Sequence, residues 1–594
     1  MKLSWQPKRW MRIFLRWRMK HITHTQFIYI LSVLVGLAVG LSVVILKNTV
    51  HLIQHLLTFG FSKEYFHYPY VIYPTIGILI TVLFVKYVIK KPVRSGVPLV
   101  LNSLSKQKGK IESHNMYSSI VASALTVGFG GSVGLEGPSV ATGSAIGSNI
   151  GRLFHLHYKD IILLLGCAAA GAMAAIFKAP IAGIVFALEV IMLDLTMTRI
   201  IPLLLSTVTG TMTSYLIYGQ EVLYKVELTE SFHIDQLPFF ILLGVIAGFV
   251  SIYFTHTFLY INKRFSKVNS WYKRLLFGSI LLGVLIFFFP SLYGEGYEDL
   301  NLALNDNLFY LYEESIFYDY QHEILLTAGL LIFLVLFKVV ATAITIAAGG
   351  VGGIFAPSLF IGANTGLAFS TIANLFNAGL SNSTFALVGM AGLMAGVIHA
   401  PLTAIFMIAE ITGGYELFIP LMIVSTIAYA TTKIFVNNSV YTTQLAKAGE
   451  LMTHHKDKAI LRMMNIEKLI EKNFEPVPVD GTLQDLIDAI ARSTRNVFPV
   501  VDPENRLVGL VTLDSVRDKI FKPELYQEIL IKDLLYVPTQ LVNRHDSMEE
   551  VAQKFNTSGK YVLAVVDEDK YLGFVSRSNV FSKYRRLIKH FSED

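Results

Sequence analysis

Long apolar segments limit what this chain can fold into more than any other feature of its sequence. Residues 27–46 are a run of twenty residues without a charge, and residues 237–261 are interrupted only by His256. As helices, both segments are long enough to cross a hydrocarbon layer about 30 Å thick. Further apolar stretches follow to about residue 434, and only 16% of all residues are charged. The sequence therefore predicts an α-helical polytopic membrane protein whose first segment stays in the membrane and is not a cleaved signal peptide.

The distribution of charge predicts on which side of the membrane each connection lies. Residues 1–22 contain seven Lys or Arg and no acid, and residues 262–274 contain five and no acid. Residues 291–322 contain seven Asp or Glu and no Lys or Arg. Because basic connections stay on the cytoplasmic side, we expect both termini in the cytoplasm and residues 291–322 outside a plasma or inner membrane. The net charge of +7 then reflects topology, and no nucleic-acid partner is expected.

The sequence carries none of the common motifs of soluble enzymes. Its one cysteine, Cys167, lies in an Ala/Gly-rich apolar stretch, so no intrachain disulfide can form and thiol chemistry is not expected. There is no Walker A motif, no HExxH motif and no His or Cys cluster with metal-ligand spacing. These observations predict a protein that is not an enzyme and that needs no metal and no cofactor.

The apolar region contains two copies of one pattern. Residues 130–147 (GGSVGLEGPSVATGSAIG) match residues 349–366 (GGVGGIFAPSLFIGANTG) at seven positions without a gap. A second pair, residues 168–189 and 389–410, follows with a two-residue shift and ends in FKAPIAGIVFALE and IHAPLTAIFMIAE. These ordered identities predict a duplicated membrane unit, with repeat halves at roughly 80–217 and 320–434.

Glycine and proline interrupt both copies, and such interruptions indicate broken helices that meet near the middle of a membrane. Pro138 and Pro357 suit the first turn of a helix, where the missing N–H is not needed. A helix N-terminus presents unpaired N–H groups and about half a positive charge, so it can hold an anion without a cationic side chain. Tight Gly/Pro turns that serve only helix packing are the alternative interpretation.

Four short motifs, in this order along the chain, resemble those of the CLC family of chloride channels and proton/chloride antiporters. They are Ser95-Gly96-Val97-Pro98, Gly134-Leu135-Glu136-Gly137-Pro138, Gly353-Ile354-Phe355-Ala356-Pro357 and Tyr441. The resemblance implies a CLC-type inverted-repeat transport domain with broken helices over residues 27–445, after a basic cytoplasmic segment at 1–26. It also implies a voltage-gated homodimer that acts on chloride and, in the antiporter members, on protons.

The family pattern implies a central chloride site. Ser95 and Tyr441 would offer hydroxyl hydrogen bonds to the ion, and the backbone amides of Ile354 and Phe355 would complete the site. Serine at position 95 favours chloride over nitrate, since members resembling nitrate transporters have proline there.

The pattern also implies an outer anion site with a gate. The backbone amides of Leu135, Glu136 and Gly137 would face the ion, and the Glu136 carboxylate would compete with it. An acid at an anion site mimics the substrate and makes occupancy depend on pH and voltage. An ionised Glu136 would block the site and a protonated one would yield; a surface or helix-capping glutamate is the alternative interpretation.

Two departures from the family pattern bear on mechanism. Leu135 stands where many relatives have Lys or Arg, so we expect a weaker electrostatic attraction toward the outer site. Val190 stands at the position of a second glutamate in antiporter members, and valine cannot carry a proton. Glu189 is adjacent but should face elsewhere, since one residue rotates a helix by about 100°, and its match to Glu410 favours a structural role. The sequence therefore predicts a passive, channel-like chloride pathway, with a proton-coupled antiporter as the alternative.

Two lysines, Lys178 and Lys338, lie in apolar surroundings, where an ionisable residue is a functional hypothesis by default. Attraction of anions is one interpretation. Snorkelling to the interface or pairing within the helix bundle is the other.

After about residue 444 the composition becomes mixed in charge, which predicts a soluble cytoplasmic α/β module behind a linker at 446–461. Residues 496–516 match residues 561–580, each copy reading strand, turn, strand, helix. The repeat resembles a tandem pair of CBS motifs, which we place at 462–522 and 530–590.

The CBS resemblance implies a site for an adenine nucleotide, because such pairs often sense one. The candidate residues are Thr512 with Ser515, Ser576 with Asn579, and Asp514, which is displaced by one residue from the usual position of the ribose-binding acid. A purely structural role in dimerisation is the alternative.

Overall fold

The computed structural model describes residues 17–58, 67–93, 96–191, 197–220, 224, 233–305, 307–312, 323–447, 461 and 464–592. The chain divides into two compact units, Met1–Leu451 and Met452–Asp594. Ser95, most of the basic segment at 1–26 and most of the predicted linker at 446–461 lie outside the described residues.

The described part of the first unit is helical. Where the structure describes the chain from His24 to residue 220, the α-helices are α1 (His24–Thr58), α2 (His67–Leu83), α3 (Gly96–Lys106), α4 (Asn115–Gly128), α5 (Glu136–Leu153), α6 (Tyr158–Phe177), α7 (Pro180–Glu189) and α8 (Met197–Tyr218). Nine follow: α9 (Leu237–Ser266), α10 (Trp271–Phe288), α11 (Tyr297–Leu304), α12 (Ile324–Ala348), α13 (Phe355–Asn374), α14 (Asn382–Ile398), α15 (Pro401–Ile411), α16 (Phe418–Phe435) and α17 (Val440–Lys447). A π-helical turn, Phe84–Ile89, continues α2.

Eight stretches of helix within the described residues are long and apolar enough to cross a membrane. They are His24–Leu57, Tyr70–Ile89, Tyr158–Phe177, Arg199–Tyr218, Ile234–Ser266, Trp271–Phe288, Ile324–Ala348 and Phe418–Thr443. Between them lie shorter apolar helices such as Pro180–Glu189 and Pro401–Ile411, too short to span on their own. The mixture of full-length and short helices is the pattern of a membrane domain with broken helices.

Glycines at equivalent positions of the two repeats make equivalent helix contacts. A Cβ atom at Gly147 of α5 would lie 2.4 Å from the carbonyl oxygen of Leu164 in α6. A Cβ atom at Gly366 of α13 would lie 1.9 Å from the carbonyl oxygen of Phe385 in α14. Any side chain at either glycine would force the paired helices apart. The repeat in the sequence is therefore also a repeat in the packing of the helices.

The second unit contains two three-stranded sheets with the same construction. The first has the order β1 (Val477–Pro478), β2 (Val497–Val501), β3 (Leu507–Thr512), and the second β4 (Val542–Asn543), β5 (Val562–Asp567), β6 (Lys570–Ser576). In each sheet the first pair of strands is parallel and the second antiparallel, with a register shift between Val500 and Val501 in one and between Val565 and Val566 in the other. Their helices are α18 (Leu483–Arg492), α19 (Leu513–Val516), α20 (Met548–Ser558) and α21 (Arg577–Ser592).

Candidate functional site

The two Gly/Pro motifs meet in space through a pair of backbone hydrogen bonds. The amide of Gly134 donates to the carbonyl of Gly353 at 2.9 Å, and the amide of Gly353 donates to the carbonyl of Gly134 at 2.7 Å. A reciprocal exchange between equivalent residues is what a two-fold relation between two halves of a structure produces. The junction sets the start of α5 beside the start of α13.

A third helix start lies at the same place. A Cβ atom at Gly96, the first residue of α3, would lie 2.2 Å from the carbonyl oxygen of Gly137 in α5. One at Gly137 would lie 3.1 Å from the Cα atom of Gly353. Glycine at these positions lets three helix N-termini approach one another to backbone distance, and no larger residue would.

The N-termini of α5 and α13 lack side-chain caps. Leu135 and Ile354 precede the two helices, and neither side chain accepts a hydrogen bond from the first turn. Pro138 and Pro357 occupy the third helical position in each, where no intrahelical partner exists for an N–H. The first-turn amides of both helices can therefore serve an anion.

An anionic side chain, Glu136, already lies at this point. It is the first residue of α5 and is only 1% exposed. The hydroxyl of Tyr297 in α11 donates a hydrogen bond to its Oε1 atom at 2.7 Å. Its Oε2 atom is buried, and no described residue donates a hydrogen bond to it at normal geometry. A Cβ atom added to Gly134 would lie 2.1 Å from Oε2, so this oxygen is packed against the Gly134–Gly353 junction.

The other residues predicted for the chloride sites surround the same region. Ile354, Phe355 and Tyr441 are buried, with Tyr441 8% exposed. Tyr441 is the second residue of α17, which packs against α3. Ser95 lies outside the described residues, but it directly precedes Gly96. The structure thus brings α3, α5, α13 and α17 together, and these helices carry or directly follow the described residues that were predicted to bind chloride.

One predicted donor is engaged differently from the expectation. We expected the Leu135 amide to face chloride, whereas in the structure it donates a hydrogen bond to Oε1 of Glu295 at 3.0 Å. Glu295 belongs to the short connection between α10 and α11, 160 positions away in the chain. A carboxylate, not a vacant position, therefore lies at this amide.

Sequence reasoning missed both Glu295 and Tyr297. They stand in a short Gly-Glu-Gly-Tyr segment, in which Gly294 and Gly296 have φ of 59° and 85°. Two glycines in a left-handed conformation around one glutamate form a local signal for a tight, specifically shaped loop. The net charge of this acidic loop indicates topology but does not single out these two residues.

Both lysines that the sequence singled out donate to backbone carbonyl groups. Lys338 of α12 is 0% exposed, and its Nζ atom donates to the carbonyl oxygens of Gly294 at 2.9 Å and Leu292 at 3.3 Å. It therefore holds the loop that carries Glu295. Lys178 donates to the carbonyl oxygen of Gly219 at 2.9 Å. These contacts agree with pairing of both lysines within the helix bundle.

Glu189 lies at the end of α7 and points toward α15. Its carboxylate accepts hydrogen bonds from the backbone amides of Leu402 at 3.2 Å and Thr403 at 2.8 Å. Glu410 makes the equivalent contacts in reverse, with the amides of Ile181 at 3.0 Å and Ala182 at 2.7 Å. Each glutamate caps the first turn of the other repeat's short helix, which is a structural function. Val190 follows Glu189 directly and is buried.

In the second unit the candidate nucleotide-binding residues lie where each third strand leads into a helix. Thr512 caps α19 by accepting the Ser515 amide at 3.3 Å, and Ser576 accepts the Asn579 amide at 3.2 Å. Asp514 is exposed and pairs with Arg517 at 2.8 Å.

The Ser576 hydroxyl also has an acidic partner. It donates to Oε1 of Glu471 at 2.5 Å, and the other oxygen of Glu471 pairs with Arg495 at 2.7 Å. The hydroxyl of Ser576 is therefore satisfied by a carboxylate of the same module. Among the described residues of the whole chain, no group of three or more His, Cys, Asp or Glu is arranged to hold a metal ion.

The fold and this site define a helical membrane transport protein, duplicated and built from broken helices whose N-termini meet around a buried carboxylate. The chain belongs to the CLC family of chloride transport proteins. The family model described as voltage gated chloride channel matches residues 76–433, more than half of the chain. The CBS domain model matches residues 466–522 and 528–586.

Curated relatives of this chain include proteins named as channels and as exchangers. Chloride channel protein CLC-e of Arabidopsis thaliana is 25% identical over 564 residues, covering 82% of this chain and 75% of that protein. The H(+)/Cl(-) exchange transporter ClcA of Vibrio cholerae is 26% identical over 426 residues, covering 69% of this chain and 87% of that protein.

Solved structures show the same fold. A eukaryotic CLC transporter has a TM-score of 0.60 at 18% identity and covers 96% of this chain and 98% of its own. A slow cyanobacterial Cl-/H+ antiporter has a TM-score of 0.60 at 22% identity and covers 71% of this chain and 97% of its own. The comparisons confirm the predicted family, the helical membrane fold followed by a CBS module, and a transport protein that is not an enzyme.

Proposed function

We propose that this protein conducts chloride passively, along a channel-like pathway gated by Glu136. The observation that carries the proposal is the position of that carboxylate, buried where the N-termini of α3, α5 and α13 converge. A carboxylate is itself an anion, so a place that holds it among helix N-termini also suits chloride. Chloride passes when the carboxylate is protonated or displaced, and is blocked while it is ionised and in place.

The central site in this proposal uses the hydroxyls of Ser95 and Tyr441 and the amides of Ile354 and Phe355. The burial of Tyr441, Ile354 and Phe355 supports it, because an anion that sheds its water needs donors that are themselves shielded from water. The amides of Leu135, Glu136 and Gly137 form the outer site.

Passive conduction is favoured over proton coupling by Val190. A buried valine at the cytoplasmic proton-acceptor position of the family's antiporters offers no titratable group, and Glu189 beside it is engaged as a helix cap. A proton-coupled chloride antiporter is the second candidate, because the Vibrio cholerae relative is named as an exchange transporter.

Simultaneous measurement of chloride efflux and external pH distinguishes these candidates. Purified protein is reconstituted in liposomes, with valinomycin present to collapse the voltage. Chloride efflux without uncoupler-sensitive proton movement supports the channel-like pathway. Proton movement in fixed ratio to chloride would overturn it and establish the antiporter. Liposomes that hold the Glu189→Gln variant serve as control, because that carboxylate has no role in the proposed proton or chloride path.

The setting of the transport domain is also proposed, in the orientation that the loop charges indicate. We place both termini in the cytoplasm of a cell with the chain in its plasma or inner membrane, as one subunit of a homodimer.

For the CBS pair we propose a structural role, and the Ser576–Glu471 contact supports it, since an acid at this hydroxyl repels a phosphate group. An adenine nucleotide at Thr512, Asp514, Ser576 and Asn579 remains the second candidate, because CBS domains can bind one.

A further inference from the structure

The outer site contains a second carboxylate besides the gate. Glu295 reaches the Leu135 amide at 3.0 Å, directly in front of the first residue of α5. Glu295 is partly accessible to solvent, whereas Glu136 is 1% exposed. The two acids therefore lie at the same helix N-terminus, with Glu295 less enclosed than Glu136.

The loop that carries Glu295 is held in place by buried groups. Lys338 donates to the carbonyls of Leu292 and Gly294, the two residues on the N-terminal side of the loop. The amide of Gly294 in turn donates to the carbonyl of Gly130 at 3.0 Å. Tyr297, two residues beyond Glu295, contacts the Glu136 carboxylate. One short segment thus positions both a carboxylate on the Leu135 amide and a hydroxyl on the gate.

Charges of both signs face this pair of acids. Lys47 of α1, whose Nζ atom donates to the carbonyl of Ile176 at 2.7 Å, interacts electrostatically with both glutamates. Lys338 of α12 interacts with Glu295 and with Asp299 of α11. Among the residues that the structure describes, the phenols of Tyr224 and Tyr297 also interact electrostatically with Glu295. The two lysines stabilise negative charge at this position, and the Glu295 carboxylate offsets part of their positive charge.

We propose that Glu295 is a second gate at the outer anion site. Its carboxylate accepts the hydrogen bond of the Leu135 amide that chloride would otherwise accept, and it thereby lowers the affinity of the site for chloride. The inference rests on the proposed chloride pathway and adds a residue to it. Two contacts from one short loop support it, since the Glu295 carboxylate accepts the Leu135 amide and the Tyr297 hydroxyl donates to Glu136. Chloride enters fully only when Glu295 is neutralised or withdrawn.

The test measures equilibrium chloride binding by calorimetry in a background where the inner gate is neutral. Purified Glu136→Gln protein is compared with the double variants that add Glu295→Gln or Glu298→Gln. Glu298 is the matched control, because it is exposed in the first turn of α11 and carries the same charge three residues away. The comparison is made at pH 9, because burial raises the pKa of Glu295 to about 8 and the carboxylate is ionised above that pH. Removing a charge within a few ångströms of chloride should lower the dissociation constant about tenfold or more, whereas the control should leave it unchanged.

Measurement across pH separates a gating role from a merely structural one. In the Glu136→Gln background the chloride dissociation constant should increase as pH rises, because Glu295 then ionises. Glu295→Gln should abolish this pH dependence. Glu295→Ala, which also frees the Leu135 amide, gives a second variant with the same expected direction if the glutamine form does not fold. Equal affinity and equal pH slope in the Glu295 and Glu298 variants would overturn the proposal. Failure of Glu136→Gln itself to bind chloride would instead refute the proposed pathway.

Discussion

Tyr297 donates a hydrogen bond to Glu136 at 2.7 Å across 161 positions of the chain. The bond fixes one oxygen of the buried Glu136 carboxylate. It also links Glu136 to the loop that carries Glu295. A residue outside both repeated motifs thus helps to position Glu136.

Removing this hydroxyl should loosen the gate. A hydrogen bond to a charged group contributes roughly 1.5–3 kcal/mol, so Tyr297→Phe should raise resting chloride efflux from liposomes about tenfold. The matched control is Tyr272→Phe, an exposed tyrosine in α10. In a double-mutant cycle with Glu136→Gln, the effect of Tyr297→Phe should shrink markedly; an undiminished effect would show that the hydroxyl acts elsewhere.

Neutralising the gate should remove most of the pH dependence of chloride flux. Glutamine has the shape of glutamate and can still accept the Tyr297 hydroxyl, but it does not titrate between pH 4 and 9. For Glu136→Gln we therefore expect flux that stays high as external pH rises, where the wild type closes. Flux is measured over a series of external pH values, with Glu298→Gln as the control for charge alone. A variant with the wild-type profile would refute the gate assignment.

The hydroxyl of Tyr441 should contribute directly to chloride binding. Tyr441→Phe keeps the buried ring and removes only the hydroxyl donor. We therefore expect the dissociation constant for chloride to increase about tenfold, as for a lost hydrogen bond to a charged group. Titration of purified protein by calorimetry measures the change. Tyr117→Phe, at an exposed position in α4, is the control. An unchanged isotherm for Tyr441→Phe would remove this residue from the central site.

Gly134 should not tolerate a side chain. A Cβ atom there would lie 2.1 Å from Oε2 of Glu136 and 2.9 Å from Cβ of Ala356, so Gly134→Ala must displace the gate. We expect loss of pH-dependent closing, read from the same flux assay. Gly329→Ala in α12 is the matched control, because nothing lies within 4 Å of its Cβ position. Normal gating in the Gly134 variant would mean that the gate does not rest against this glycine.

The reciprocal caps of Glu189 and Glu410 should matter for stability and not for gating. Each carboxylate accepts two backbone amides of the other repeat, so Glu410→Ala should destabilise the fold by about 2 kcal/mol. Thermal unfolding in detergent measures the effect, with exposed Glu416→Ala as the control. A variant with unaltered melting and altered chloride selectivity would place Glu410 in the pathway instead.

The sequence by itself determined the class of protein and indicated where its candidate site lies. Uncharged runs of about twenty residues are long enough to cross the hydrocarbon layer. Because that layer contains no water to hydrogen-bond the backbone, a membrane-spanning helical fold follows from composition alone. The duplicated Gly/Pro motifs predicted broken helices with N-termini facing an anion, because that chemistry is local to each motif. The role predicted for Glu136 came from the resemblance to the CLC family, and the structural role predicted for Glu189 came from its match to Glu410 in the repeats.

Only the tertiary structure decided what each of these groups contacts. Glu295 lies in the connection between α10 and α11 and Tyr297 begins α11, and no sequence pattern links either of them to α5, about 160 positions earlier. The Leu135 amide was predicted to face chloride and was found on a carboxylate. Such contacts depend on how folded segments pack in three dimensions, which local pattern and composition do not encode.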